Sequence, residues 1–189
     1  MAKRTKIQIN LFDYKSIEKA LGELTIYERK FNSKLDEFMA KLAQRGVDIA
    51  KDKIKTYDAI FTGELLNNIR AEQRGDCYLI ISDTEHTAYV EFGTGQLGKV
   101  DGYKYFNKLK TPVAWDYASG SQVQISDEPL QWGDYTIPAN TYFWFYWGAD
   151  QRWHLTHGLP SRPFMYETAM EISKYRTIRE VAREVFGDA

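Results

Sequence analysis

The sequence predicts an α+β fold, and three observations carry that prediction. Apolar residues recur at helical spacing from Tyr27 to Ile54, the period shortens towards two after Thr62-Gly63, and helical spacing returns from Phe164 to Val185. These blocks predict a long amphipathic N-terminal helix, an antiparallel β-meander with an inserted β-hairpin region, and a C-terminal helix packed on the sheet. At 189 residues the chain is read as one domain, 1–189, long enough to bury about 70% of its unfolded surface without staples.

Taken in order, Ile7, Ile9 and Leu11 alternate with polar residues as a short strand or arm. Asp13 and Ser16 open a short helix through Leu21, with Gly22 as a left-handed stop. Thr25 and Glu28 match a T-x-x-E capping box that starts a second helix. Tyr27, Phe31, Leu35, Phe38, Met39, Leu42, Ile49 and Ile54 form its apolar stripe, which ends near Tyr57 and bends at Gly46-Val47. The segments Leu66–Ala71, Cys77–Ile81 and Thr87–Phe92, bounded by turn-rich clusters, read as three successive antiparallel strands.

Residues 95–158 read as an insertion of loops around a hairpin. Weak strands are expected at Pro112–Trp115 and Gln122–Ile125, and Tyr135–Ile137 is expected to pair with Thr141–Trp147 across Pro138-Ala139-Asn140. Ser161 or Arg162 then opens a closing helix with Pro163 in its first turn, and Gly187 ends it.

Composition excludes several functions. Lys and Arg total 25 against 26 Asp and Glu, so the basic excess of a phosphate-gripping protein is missing. The single Cys77 cannot form an internal disulfide, which points to a reducing compartment, and it is read as inert packing in an apolar strand. The basic start MAKRTKIQIN has no apolar stretch after it and is not read as a signal peptide. The apolar run Tyr142–Trp147 is far shorter than the roughly 20 residues of a membrane helix, so a soluble chain is expected. Aromatic residues reach 15%, which suggests a large sheet surface, a partner interface, or both.

Four patterns could carry chemistry, and each has a plainer reading. Gly93, Gly95 and Gly98 match G-x-G-x-x-G, but no βαβ alternation surrounds them, so they read as a glycine-rich loop leaving an edge strand. His154 and His157 could pair on a metal with Cys77 or Asp150, yet no second close ligand pair exists, and they read as loop histidines. Glu85 and Glu91 on one strand would lie about 20 Å apart, too far to work as acid and base. No serine has a nucleophile-elbow context. No catalytic residue, cofactor or metal is expected.

Three pieces carry a resemblance. Thr62-Gly63-Glu64-Leu65 through Ile69 resembles a "TG-x-L…SI" lead into a sheet, and Ala88-Tyr89-Val90-Glu91-Phe92-Gly93-Thr94 resembles an "A-x-Y-V-E-F-G-T" strand end. Pro160-Ser161-Arg162-Pro163-Phe164-Met165 with Ala169 resembles a "P-x-R-P-F-…-A" helix start. The set, over about residues 25–94 and 158–186, is similar to the tail-component family of tailed bacteriophages named after the HK97 gp10 protein. The resemblance implies a structural, non-enzymatic virion protein of the head-tail neck or tail-completion class, made in the host cytoplasm. Its partners would be copies of itself, in a ring of six by analogy with tail-end rings, and neighbouring neck or tail proteins. DNA would pass without specific binding, and no membrane is involved. Within that family pattern, Gly63 serves a tight turn, Phe92 packs inward, Gly93 admits a close backbone, and Pro163 and Phe164 fix and staple the closing helix. The insertion is longer than the family's connection and carries Trp115, Trp132, Trp144 and Trp147 as candidate interface residues, with Trp153 close behind. Two alternatives stand beside this: a non-viral assembly or binding module, and a metal-dependent hydrolase using His154 and His157.

Overall fold

The computed structural model describes residues 6–59, 63–84, 86–109, 127–141, 143–147 and 150–187. The fold is mixed α+β, with a long N-terminal helix, short antiparallel two-stranded sheets and a helical C-terminus. The chain gathers into two compact units. One holds the residues up to Ile49, Arg70–Ile81 and the residues from Ala169 onward; the other holds Ala50–Ile69 and Ser82–Thr168.

Helix α1 runs unbroken over Tyr14–Thr56, 43 residues. The expected stop at Gly22 and fresh start at Thr25 are therefore corrected. Gly22 keeps a helical backbone, and the Thr25 hydroxyl donates to the Leu21 carbonyl at 3.0 Å instead of capping a new helix. Hydroxyls can bond back to the preceding turn, so a capping sequence inside an amphipathic run need not start a helix. The end at Thr56 agrees with the sequence reading.

In the first unit, α1 carries buried Ala43 and Val47. Gly46 is also buried, and a β-carbon there would collide with the Ile80 side chain and lie 3.3 Å from Ile172. The glycine thus admits the β hairpin and the closing helix rather than bending α1. The hairpin pairs β1 (Arg70–Arg74) with β2 (Cys77–Ile81), Arg70 opposite Ile81 and Arg74 opposite Cys77, around Gly75-Asp76 with Gly75 at φ 61. Cys77 is exposed, not packed inside as its apolar neighbours suggested. The closing helix is two helices, α5 (Phe164–Ile172) and α6 (Tyr175–Phe186). The break comes where Ser173 donates its hydroxyl to the Met170 carbonyl and Lys174 turns to an extended backbone. Gly187, at φ 80, ends α6 as expected. Phe186 packs its ring 6.3 Å from Phe31 and 6.1 Å from Phe38, and Arg45 pairs with Glu184 at 3.3 Å.

In the second unit, Ala50 and Ile54 of α1 are fully buried. Two expected strands give way to helices, the first only over Leu66–Asn68, since Arg70 and Ala71 belong to β1. Gly63, at φ 76, leads into α2 (Glu64–Asn68), which buries Leu65, and Ile69 is buried just past its end on extended backbone. Thr87–Phe92 lies within α3 (His86–Phe92), which buries the adjacent Val90 and Glu91 together. Neighbours on a strand point to opposite faces, whereas neighbours on a helix lie about 100° apart and can share a buried side. Among the described residues the expected meander is therefore reduced to the β1–β2 hairpin. After α4 (Gly95–Asp101), β3 (Leu130–Trp132) pairs with β4 (Tyr135–Ile137), and β5 (Trp144–Trp147) pairs with β6 (Trp153–Thr156). Tyr135–Ile137 thus takes Leu130–Trp132 as its partner across Gly133-Asp134, and among the described residues of Thr141–Trp147 the strand Trp144–Trp147 pairs with Trp153–Thr156 instead. The short strand β7 (Gly158–Leu159) bridges to Thr94 and Gly95. The strands expected at Pro112–Trp115 and Gln122–Ile125 lie outside the described residues.

The unbroken course of α1 gives a direct test. Gly22 has open space around its α-carbon, so Gly22→Ala is expected to raise stability by about 0.5–1 kcal/mol in urea unfolding. A helix stop at that position would give a loss instead.

Candidate functional site

The second and third sequence pieces meet in one polar knot. Glu91 sits near the end of α3, between apolar Val90 and Phe92, and is buried. Its Oε1 accepts the Tyr103 hydroxyl at 2.7 Å and the Tyr166 amide at 3.1 Å, and its Oε2 accepts the Met165 amide at 2.9 Å. Those amides lie in the first turn of α5, where N–H groups lack helical partners and favour a negative charge. The backbone closes around the same point. Arg162 donates its amide to the Val90 carbonyl at 2.9 Å, Ser161 donates its hydroxyl to the Glu91 carbonyl at 2.8 Å, and Leu159 donates its amide to the Thr94 hydroxyl at 3.1 Å. Gly93, at φ 80, lies so close that a β-carbon would sit 2.7 Å from the Ser161 nitrogen and 2.8 Å from the Leu159 oxygen.

A second carboxylate stands beside this knot. Glu167 accepts Lys53 at 2.9 Å and the Tyr105 hydroxyl at 3.0 Å, with Lys104 at 3.9 Å. Tyr105 stacks on Tyr166 at 4.3 Å, and Tyr103 packs on Phe92 at 4.9 Å. Burial pushes the Glu91 carboxyl above its ordinary value of 4.5, against the pull of its three donors. Burial also raises Glu167, but Lys53, Tyr57 and Tyr105 outweigh it and hold that carboxyl below its ordinary range. Burial first, and then their carboxylate partners, raise Tyr57 and Tyr103, so both hydroxyls stay protonated and donate. Glu91 has an apolar environment, yet its oxygens are already spent on one hydroxyl and two amides. The arrangement clamps α3 to α5.

Of the residues singled out in the sequence, Glu91, Phe92, Gly93, Thr94, Pro160, Arg162, Pro163 and Phe164 are brought together here, with Pro163 and Phe164 buried. Phe164 is fully buried, as its stapling role requires. Tyr89 is exposed on α3. Gly63 and Leu65 sit at α2, where Gly63 turns into a helix rather than into a strand. Thr62, Glu85 and Trp115 lie outside the described residues. Tyr103, Tyr105 and Glu167 went unnoticed in the sequence; the available signal was Glu91 itself, a lone carboxylate between Val90 and Phe92 that needs buried donors.

The remaining candidates scatter. A helix does begin at Gly95, contrary to the expected loop, but it follows the helix α3, and its Leu97 amide donates to the His157 carbonyl at 3.2 Å. A dinucleotide fingerprint needs a strand in front of those glycines. His154 binds Asp150 at 2.8 Å and stacks on Tyr146, while His157 lies 3.2 Å from the Tyr135 hydroxyl. The two imidazoles thus hold different partners, and among the described residues no three His, Cys, Asp or Glu side chains are placed to hold a metal ion. Trp144 packs against Gly95, where a β-carbon would meet its ring at 2.5 Å, so this tryptophan works inside the unit. Trp132 packs on Phe145 at 4.3 Å yet remains exposed, as do Trp147 and Trp153, whose rings meet edge-on at 5.4 Å.

No family model, curated protein or solved structure matches the chain. Among the described residues, no helix is long and apolar enough to cross a membrane.

The clamp generates two tests. Gly93→Ala combines a left-handed backbone with a collision against main-chain atoms, and is expected to cost about 3 kcal/mol in chemical unfolding. The second is a pH test. Because the folded pKa of Glu91 lies above 4.5, the folded state keeps a proton that the unfolded chain releases. Its stabilising contribution is therefore full below pH 4.5 and drains away as pH rises through the folded value. Glu91→Gln is expected to cost roughly 2 kcal/mol at the acid end and progressively less as pH rises. A cost that grows with pH would mean that the donors, not burial, dominate.

Proposed function

We propose that the protein is a structural component of a tailed bacteriophage, of the head-tail neck or tail-completion class, which works by associating with copies of itself and with neighbouring proteins. The observation that carries this reading is the knot: the "A-x-Y-V-E-F-G-T" and "P-x-R-P-F" pieces, about 70 residues apart in sequence, interlock through Glu91, Gly93, Ser161 and Arg162. Two pieces that resemble one family and also hold one structural unit together support reading them as one set, although the first lies in α3 and not at the strand end that the resemblance implies. Commitment of Glu91 to three donors supports a role in architecture over one in proton transfer.

The hairpins of the 95–158 insertion supply surface suited to partners. Trp147 and Trp153 are each 57% exposed, and Trp132, Tyr135 and Tyr146 are exposed as well. Rigid amphipathic rings of this kind anchor protein interfaces at low entropic cost. The formal charge of -1 fits a passage through which DNA slides, since a strongly basic lining would retain phosphates.

Native mass spectrometry of the purified protein tests the reading. Closed homo-oligomers, six copies by analogy, are expected at micromolar concentration, and the double variant Trp147→Ala, Trp153→Ala is expected to weaken assembly at least about tenfold while keeping its circular dichroism spectrum. A strict monomer at every concentration, with no binding to other phage neck or tail proteins, overturns it.

A further inference from the structure

We infer that the first half of α1 is a self-association surface that takes the same segment of a second copy as an antiparallel coiled coil. This inference rests on the self-assembly reading above, and it names the surface.

The seam is written in the spacing. Tyr14, Ile17, Leu21, Leu24, Glu28, Phe31, Leu35, Phe38 and Leu42 follow one another at alternating intervals of three and four, the heptad pattern that faces a partner helix. Its downstream part already holds a helix. Phe186 of α6 lies on Phe31 and Phe38, and Lys34 donates to the Val185 carbonyl at 2.9 Å. Then α6 stops at Phe186 while the seam continues towards Tyr14 without a partner from α6. There Leu21 is 60% exposed, Leu24 47% and the flanking Tyr27 57%. The surface is thus continuous with an established helix–helix contact and has the same period.

Area and charge select the occupant. Tyr14, Leu21, Leu24, Tyr27 and Phe31, exposed by 47–78%, with the partly buried Ile17 between them, offer on the order of 600 Å² per copy. Two copies bury roughly 1,200 Å², the lower edge of specific interfaces. A parallel, in-register pair would stack Glu28 on Glu28 in the seam and bury two like charges. An antiparallel pair centred between Leu21 and Leu24 puts each Leu21 against the other copy's Leu24, and sets each Glu28 opposite Ile17, away from the other copy's Glu28. That arrangement fills the seam without setting the two carboxylates against each other.

Sedimentation equilibrium and native mass spectrometry on the full chain test this, with Leu21→Asp, Leu24→Asp as the variant. These positions are exposed in the single chain, so circular dichroism is expected to stay unchanged while self-association weakens about 100-fold. If the wild type forms only a dimer that this variant dissociates, the seam is supported and the ring reading fails. Wild-type assemblies that the variant leaves intact overturn the seam and spare the ring reading, and a wild-type monomer overturns both. Orientation is read by oxidation in a Cys77→Ser background. An equimolar mixture of Leu21→Cys and Leu24→Cys proteins is expected to give mainly the mixed disulfide; preferential self-crosslinking of either protein overturns the antiparallel arrangement.

Discussion

A single buried carboxylate organises the second unit. Glu91 draws the end of α3, the first turn of α5 and Tyr103 onto one side chain. Each partner has its own reason to be there. The amides of Met165 and Tyr166 are among the four that any helix start leaves unbonded, and the Tyr103 hydroxyl would be costly to bury without an acceptor. Once that point is fixed, the neighbouring features follow. Gly93 must lack a β-carbon because the 159–161 backbone crosses over it, and Thr94 must offer a hydroxyl because Leu159 has an amide to place.

The adjacent pair Glu167 and Lys53 obeys a different balance. Glu91 is dominated by its loss of water and Glu167 by its neighbours, so two carboxyls that share a tyrosine cluster are driven in opposite directions. Tyr103 and Tyr105, in mutual contact at 6.2 Å, serve one carboxylate each. The aromatic content that the composition shows is therefore divided between two uses. Some rings supply buried hydroxyl donors, and others, such as Trp147 and Trp153, face outward on hairpins.

How far the sequence could be read depended on whether local pattern or distant contact decided each segment. The α+β class, the end of α1, strand Cys77–Ile81 and the stop at Gly187 rest on local periodicity and turn residues, and these were legible. Thr87–Phe92 was not, because its tyrosine, valine and phenylalanine favour a strand in isolation, whereas the demand to bury Val90 and Glu91 side by side comes from α5 and Tyr103, far along the chain. The capping signal at Thr25 failed for a related reason: a favourable local motif lost to an apolar stripe that runs straight through it. The knot was half legible. Its backbone positions stood out as motif residues, but the donors that complete it, Tyr103 and Glu167's partners, leave no trace in spacing.

The uninterrupted course of α1 has a thermodynamic consequence. Ala43 and Val47 serve one hydrophobic centre, and Ala50 and Ile54 serve the other, on consecutive turns of the same hydrogen-bonded ladder. Starting a helix afresh is costly, whereas extending one that exists is not. Whichever centre holds its part of the rod formed therefore supplies the template on which the remaining turns grow, and neither has to nucleate α1 by itself.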